Sequence, residues 1–324
     1  METFVNNYLD NNKSKSKSTK TTFITNIKRL EKFLKTNFDE WNNNTFKNVD
    51  TILDNLLEDY SNNTNILNIL TIIRYLEYKK VKGNLVEEYK EVLNELVDER
   101  NNNDNKQILK DNEKDNWIHY EELKNKVEEK AEEYLSRKKA YSDFRNFLIL
   151  ALFTLQPPTR IGNYLNMKYK VKTKREVDRL NKKYNYITPD QNGKWKMIFN
   201  NYKTSKYLGK VILKVDNDIL NNLITKWFND YNKSRKVFLN NVSGKPISQT
   251  NFTNAQKSIS KKIIGKELTT NLFRHIYLTW FLSKNPSIEE KQKIAQLVGQ
   301  KYKVSRMELY ERREDGNNIT EQKE

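Results

Sequence analysis

Residues 269–310 read TTNLFRHIYLTWFLSKNPSIEEKQKIAQLVGQKYKVSRMELY and combine an arginine, a histidine and a late tyrosine in one helical unit. At about 100° per residue, the first helix places apolar side chains in one band and polar side chains on the opposite arc. The apolar band contains Leu272, Phe273, Ile276, Tyr277 and Trp280. The opposite arc contains Asn271, Arg274 and His275, together with Leu278. We therefore expect a helix that packs on one face and directs an arginine and a histidine from the other.

An arginine and a histidine on one helix face are suited to hold a phosphate group. A guanidinium offers a planar set of donors to two phosphate oxygens, and an imidazole can donate a proton near neutral pH. A second helix follows, because Ser287 and Glu290 have the spacing of a capping box. Gly299 is placed just past the C-terminus of that helix, and Tyr310 follows in a short polar segment.

This arrangement resembles the tyrosine recombinases, also called phage-type integrases. Their signature is a helix with His-x-x-Arg and a second His, then Leu-Gly-His, and then a tyrosine. Arg274 and His275 match the Arg-His pair, and residues 297–299 match the approach to Leu-Gly-His. Tyr310 matches the tyrosine that acts as the nucleophile in this family.

Two supporting positions depart from that signature. Asn271 stands in place of the first His, and Gln300 stands in place of the His after the glycine. Both amides can form hydrogen bonds, but neither can take up and release a proton near neutral pH as an imidazole does. The two amides are compatible with phosphate binding. They also leave open the alternative that the chain is a DNA-binding protein with a degenerate catalytic site.

An earlier arginine extends the resemblance. Residues 144–155 are apolar nearly all round and predict a core helix, which Pro157 and Pro158 end. Arg160 follows directly, and from the residues alone it is either a structural counter-charge or a site residue. The resemblance identifies Arg160 with the family's first catalytic arginine, although Asn163 replaces the usual acidic residue.

A change of hydrophobic period predicts a small antiparallel sheet inside this helical region. Residues 184–189, 194–200 and 207–215 are short strand-like runs separated by turns. In the family that the chain resembles, a lysine in the second hairpin is the general acid. Lys203 matches that lysine best and Lys206 is the alternative, although both are also compatible with ordinary turn lysines.

Composition excludes several classes of site. The chain has 324 residues, a net charge of +17, two histidines and no cysteine. Disulfides, thiolate zinc sites, thiol nucleophiles and histidine-rich metal sites are therefore excluded, and we expect no cofactor and no metal. The positive charge favours a polyanionic partner, although abundant Lys and Asn also follow from A/T-rich coding. No apolar run approaches the ~18 residues of a membrane span and the N-terminus lacks a signal-peptide core, so we expect a soluble intracellular protein.

The length accommodates two domains. We predict a mainly α protein in which residues 1–105 form a helical DNA core-binding domain and residues 106–116 form a linker. Residues 117–324 are predicted to form a tyrosine-recombinase-like catalytic domain with the small antiparallel sheet and a C-terminal nucleophile segment.

The resemblance implies a site-specific recombinase or integrase of a mobile element or virus, which acts on double-stranded DNA through a 3′-phosphotyrosine intermediate. It also implies self-association as a tetramer on DNA. A type IB topoisomerase-like or telomere-resolving enzyme is the alternative with the same chemistry.

Overall fold

The computed structural model of the chain describes residues 1–10, 17–81, 83–109, 111–170, 180–299 and 311–312. Two units follow one another along the chain, Met1–Lys106 and Gln107–Glu324. Residues 107–116 are grouped with the second unit and contain a short helix. None of the helices among the described residues is long and apolar enough to cross a bilayer.

The first unit is a bundle of α-helices with two intervening 3-10 turns. Its helices are α1 (Glu2–Asp10), α2 (Lys17–Leu34), α3 (Val49–Asp59), α4 (Asn62–Tyr78) and α5 (Leu85–Asn105). The core contains a cluster of aromatic side chains, in which Phe4, Phe38, Trp41 and Phe46 surround Tyr75. The Tyr75 hydroxyl donates to the Trp41 carbonyl oxygen, so the buried phenol keeps a hydrogen-bond partner.

The second unit is mainly helical and contains one small sheet. Its helices are α6 (Asp111–Lys114), α7 (Tyr120–Ser136), α8 (Tyr141–Thr154), α9 (Ser205–Leu208), α10 (Asp218–Lys226), α11 (Gln249–Ile264), α12 (Thr270–Ser283) and α13 (Ile288–Leu297). A single π-helical turn, Trp227–Tyr231, directly follows α10.

Helix α8 is the centre of the second unit. Its side chains are buried on nearly every face, and it packs against α7, α10, α11 and α12. The prediction of a core helix at 144–155 is confirmed, and the observed helix begins three residues earlier at Tyr141. A helix that is apolar all round can be stable in water only when neighbours cover every face.

The sheet has four strands in the order β1 (Lys168–Tyr169), β2 (Tyr186–Pro189), β3 (Trp195–Phe199) and β4 (Val211–Lys214). β2, β3 and β4 form the predicted antiparallel meander, with Met197 opposite both Ile187 and Leu213. A fourth strand adds to this meander, because β1 pairs parallel to β2. A strand of two residues carries no readable alternation, so its parallel pairing has no signal in the sequence.

Local capping signals place α12 and α13. The Thr269 hydroxyl accepts from the Leu272 backbone N–H at the start of α12. The capping box of α13 is confirmed, because the Ser287 and Glu290 side chains each accept from the other's backbone N–H. Gly299 ends α13 with a φ of 72°, a left-handed conformation in which other residues are strained.

Candidate active site

Helix α12 carries Arg274 and His275 in buried positions. Arg274 is 1% exposed and His275 is 8% exposed, so the predicted polar arc does not face solvent. Asn271, in the first turn of the same helix, is exposed. The predicted one-sided helix is wrong in this respect, because the end of α13 and residue 312 cover the polar arc.

Arg274 connects α12 to the end of α13. Its Nη2 donates to the carbonyl oxygen of Val298 at 3.1 Å. Val298 caps α13, where helix carbonyl groups lack intrahelical partners and carry partial negative charge. A buried guanidinium at a helix C-terminus is therefore stabilised electrostatically, and its orientation relative to α13 is fixed.

The predicted general acid lies in the connection between β3 and β4. Lys203 and Lys206 are both exposed in this connection, which we call the lysine loop (residues 200–210). The lysine loop contacts the end of α13, because Thr204 Oγ1 donates to the carbonyl oxygen of Gly299 at 2.9 Å. Lys203 directly precedes Thr204, the residue that anchors the loop. Thr204 binds the carbonyl group of Gly299, and Arg274 binds the carbonyl group of the preceding residue, Val298.

Arg160 lies at the start of a 3-10 turn that follows α8. The turn spans Ile161–Asn163, and the Asn163 N–H donates to the Arg160 carbonyl oxygen at 2.9 Å. The Arg160 side chain is half-buried, and its Nε has no hydrogen-bond partner among the described residues. A buried guanidinium N–H without an acceptor is uncommon, and it suits a group that awaits an anionic ligand.

Asn185 joins the Arg160 turn to the lysine loop. Its Nδ2 donates to the carbonyl oxygens of Asn163 at 2.9 Å and Asn201 at 3.0 Å. Its Oδ1 accepts from the backbone N–H groups of Asn200 and Asn201, each at 2.9 Å. Sequence reasoning missed Asn185, because one buried asparagine at a strand start is not distinguishable in a chain rich in asparagine.

These contacts connect five segments: the Arg160 turn, the start of β2, the lysine loop, the end of α13 and the middle of α12. The Arg160 turn contacts Asn185, Asn185 contacts the lysine loop, the lysine loop contacts Gly299, and Arg274 contacts Val298. Two of the predicted site residues, Gln300 and Tyr310, lie outside the described residues.

His275 contacts a second arginine that sequence reasoning missed. Its Nε2 lies 3.3 Å from Nη2 of Arg312, which is itself buried. Arg312 Nε lies 3.6 Å from a carboxylate oxygen of Glu113 in α6. No local pattern relates residues 113, 275 and 312, so only the fold shows this cluster.

Two buried tyrosines lie close to these elements. Gln156 Nε2 donates to the Tyr164 hydroxyl at 3.1 Å, and the Tyr202 hydroxyl donates to the Gly209 carbonyl oxygen at 2.8 Å. Burial raises the pKa of Tyr164 to about 12 and also raises the pKa of Tyr202. A higher pKa leaves less phenolate near neutral pH, so neither hydroxyl is suited to act as a nucleophile.

Metal ligands are not clustered in the described part of the chain. Among these residues, no group of three or more His, Asp or Glu side chains is arranged to hold a metal ion. The polar groups at the site are guanidinium, imidazole, amide, ammonium and hydroxyl groups, together with the Glu113 carboxylate.

Comparison with known proteins gives structural neighbours only. No protein-family model and no curated protein sequence matches the chain. The crystal structure of XerA recombinase is 14% identical, with a TM-score of 0.38 over 96% of this chain and 92% of that chain. The pre-cleavage complex of XerH site-specific recombinase with its difH substrate is 15% identical, with a TM-score of 0.46 over 90% of this chain and 76% of that chain. Both of these structural neighbours are recombinases.

Proposed function

We propose that this chain is a site-specific DNA recombinase that cleaves and rejoins DNA through a 3′-phosphotyrosine intermediate. The observation that carries the proposal is the set of hydrogen bonds that connects the Arg160 turn, Asn185, the lysine loop and Arg274. Arg160, Lys203 and Arg274 each belong to a different sequence motif, and the motifs are far apart in the chain.

Arg160 and Arg274 are assigned as clamps on the non-bridging oxygens of the scissile phosphate. Guanidinium groups stabilise the charge of a phosphoryl transition state by paired hydrogen bonds, without a metal ion. The unpartnered Nε of Arg160 supports this role, because it is a donor for which the described residues supply no acceptor. The bond from Arg274 to Val298 supports it by fixing the second guanidinium in orientation.

Tyr310 is assigned as the nucleophile. Its hydroxyl oxygen forms a bond to phosphorus while the bond from phosphorus to the 5′-oxygen breaks. A tyrosine has a pKa of about 10, so its proton must pass to a base, for which we assign His275. The leaving 5′-oxygen takes a proton from Lys203, with Lys206 as the alternative donor. The phosphotyrosine bond retains the energy of the phosphodiester, so rejoining needs no nucleotide cofactor.

Double-stranded DNA is the proposed partner of both units. The net charge of +17 favours contact with phosphate backbones. We assign the helical first unit to DNA core binding and the second unit to catalysis. Exchange between two duplexes requires four strand cleavages, so four copies, each supplying one nucleophile, form the expected tetramer on DNA.

The test is covalent trapping on nicked DNA. The intact protein is incubated with a library of nicked duplexes of random sequence. After cleavage, the short fragment between the cleavage site and the nick, which carries the new 5′-hydroxyl end, diffuses away. We expect a protein–DNA adduct that survives denaturation, and mass spectrometry of the linked peptide should identify Tyr310. A linked peptide without residue 310, or the absence of any adduct, contradicts the proposal.

A second candidate is a DNA-binding protein with a degenerate catalytic site. Asn271 and Gln300 favour it, because an amide replaces an imidazole at both positions. This protein would bind DNA and form no adduct. A type IB topoisomerase-like or telomere-resolving enzyme would form the adduct, and relaxation of supercoiled plasmid or closure of hairpin ends would identify it.

A further inference from the structure

Arg312 lies between an acidic side chain and the imidazole of His275. Its Nη2 is 3.3 Å from His275 Nε2, and its Nε is 3.6 Å from Glu113 Oε2. Arg312 and His275 are each 8% exposed, so little water competes for this contact. Glu113 balances the charge of a guanidinium that would otherwise be buried alone.

The contact decides the protonation of His275. A guanidinium has only donors and keeps its proton in proteins. A protonated imidazole also has only donors, and in a neutral imidazole one ring nitrogen is an acceptor. A hydrogen bond from Arg312 therefore requires a lone pair on Nε2 and places the ring proton on Nδ1.

The backbone of Arg312 contacts the same helix. Its N–H donates to Thr279 Oγ1 at 2.9 Å, one turn after His275 on α12. The Arg312 Nη1 also donates to the Glu311 carbonyl oxygen at 3.0 Å, which ties the guanidinium to its own backbone. Residue 312 is thus fixed to α12 by its main chain and its side chain, and it follows position 310 by two residues in the sequence.

We propose that Arg312 is a positioning residue that holds His275 as a neutral proton acceptor at Nε2. It also fixes the chain just after position 310 to the helix that carries Arg274 and His275. In the proposed reaction, the Tyr310 hydroxyl takes the place of the guanidinium as the hydrogen-bond donor to Nε2. Because both groups are donors, the tautomer of His275 does not change. The catalytic consequence rests on the proposed function, whereas the tautomer of His275 does not.

The direct test is the imidazole ¹⁵N spectrum of the intact protein at pH 8. The chain has two histidines, and His119 is exposed at the start of α7, so His119→Asn removes one signal set and assigns the other. We expect His275 to carry its proton on Nδ1. In Arg312→Ala the donor is absent, and the signals should move toward the Nε2–H form, whereas Arg312→Lys keeps a donor and should retain the original tautomer. A proton on Nε2 in the unmodified protein, or the same tautomer in Arg312→Ala, overturns the proposal.

A matched control and a second variant separate this effect from misfolding. Arg137→Ala removes an exposed arginine of the same unit and should leave the His275 signals unchanged. Glu113→Gln keeps the size of the side chain and removes the charge that holds Arg312, so it should shift the tautomer in the same direction as Arg312→Ala. Unchanged His275 signals in Glu113→Gln contradict the assigned role of the Glu113–Arg312 pair even if Arg312→Ala does not fold.

The catalytic part has its own readout. If His275 is the base, Arg312→Ala should lower the rate of adduct formation by about tenfold to a hundredfold, a part of what a positioned general base contributes. DNA affinity should change little, because Arg312 is buried. An unchanged rate overturns the positioning role. If the unmodified protein forms no adduct, the proposed function fails, and the ¹⁵N spectra still decide the tautomer.

Discussion

Arg274 donates from Nη2 to the carbonyl oxygen of Val298, and this bond joins the middle of α12 to the end of α13. One residue later, the Gly299 carbonyl oxygen accepts from Thr204 in the lysine loop. The two successive carbonyl groups therefore receive donors from two different elements. A change at Arg274 should therefore affect both the stability of the fold and the proposed chemistry.

For Arg274 we compare Ala with Lys. Arg274→Ala leaves the Val298 carbonyl oxygen without this donor, and the loss of a hydrogen bond from a charged group should lower the free energy of unfolding by about 1.5–3 kcal/mol. Arg274→Lys keeps the charge but not the paired donors, so cleavage should still fall by about 10² or more. Urea unfolding and the rate of adduct formation measure the two effects. Equal rates for Arg274→Lys and the unmodified protein would remove Arg274 from the clamp.

Tyr310→Phe removes only the proposed nucleophilic oxygen. We expect the covalent adduct to disappear while the affinity for DNA stays within about twofold. Contacts with phosphates dominate the binding free energy, so the loss of one hydroxyl group changes it little. Denaturing gels and fluorescence anisotropy measure adduct and affinity. Tyr302→Phe is the matched control, and loss of the adduct in that variant alone would move the nucleophile to Tyr302.

Lys203→Ala should slow cleavage of an ordinary phosphodiester by about 10²–10⁴, the usual contribution of a general acid. A 5′-thio linkage has a leaving group that needs no proton, so cleavage of that substrate by Lys203→Ala should approach the rate of the unmodified protein. Lys206→Ala is the control in the same loop. Rescue that appears in Lys206→Ala and not in Lys203→Ala would make Lys206 the acid.

Asn185→Ala removes both halves of the link between the Arg160 turn and the lysine loop. Buried groups that lose their partners cost about 1–3 kcal/mol each, so thermal unfolding should show a clear loss of stability. Asn185→Asp keeps the acceptor for Asn200 and Asn201 but loses both donated bonds, and cleavage should fall more than DNA affinity. Asn192→Ala, an exposed change in the β2–β3 turn, should alter neither property. Wild-type cleavage by Asn185→Asp would show that the link does not position the site.

Local patterns predicted the elements of the fold well. The all-round apolar character of α8, the Ser287–Glu290 capping box and the turn between β2 and β3 all depend on neighbours in sequence. Burial of Arg274 and His275 could not be predicted in this way, because the covering groups are Val298 and Arg312. A helical wheel reports the polarity of an arc but not which distant segment covers it.

The candidate site divides along the same line. Arg160, Lys203 and Arg274, to which we propose to assign the chemistry, are identifiable from motifs, since chemistry requires particular side chains at particular places. Asn185 holds backbone groups together, and an amide in that role has no fixed spacing from the groups that it serves. The roles of all the site residues stay predictions, and two of the residues, Gln300 and Tyr310, lie outside the described part of the chain.

The hydrogen bond from Asn185 to the Asn163 carbonyl oxygen joins the two ends of the segment between residues 163 and 185. The entropic cost of closing such a loop grows slowly with its length, by about 0.6 kcal/mol for each doubling of the number of residues. Extra residues introduced between β1 and residue 180 would therefore leave the spacing between the Arg160 turn and the lysine loop unchanged. We therefore expect a peptide tag or a small protein inserted there to leave the arrangement of the candidate site unchanged.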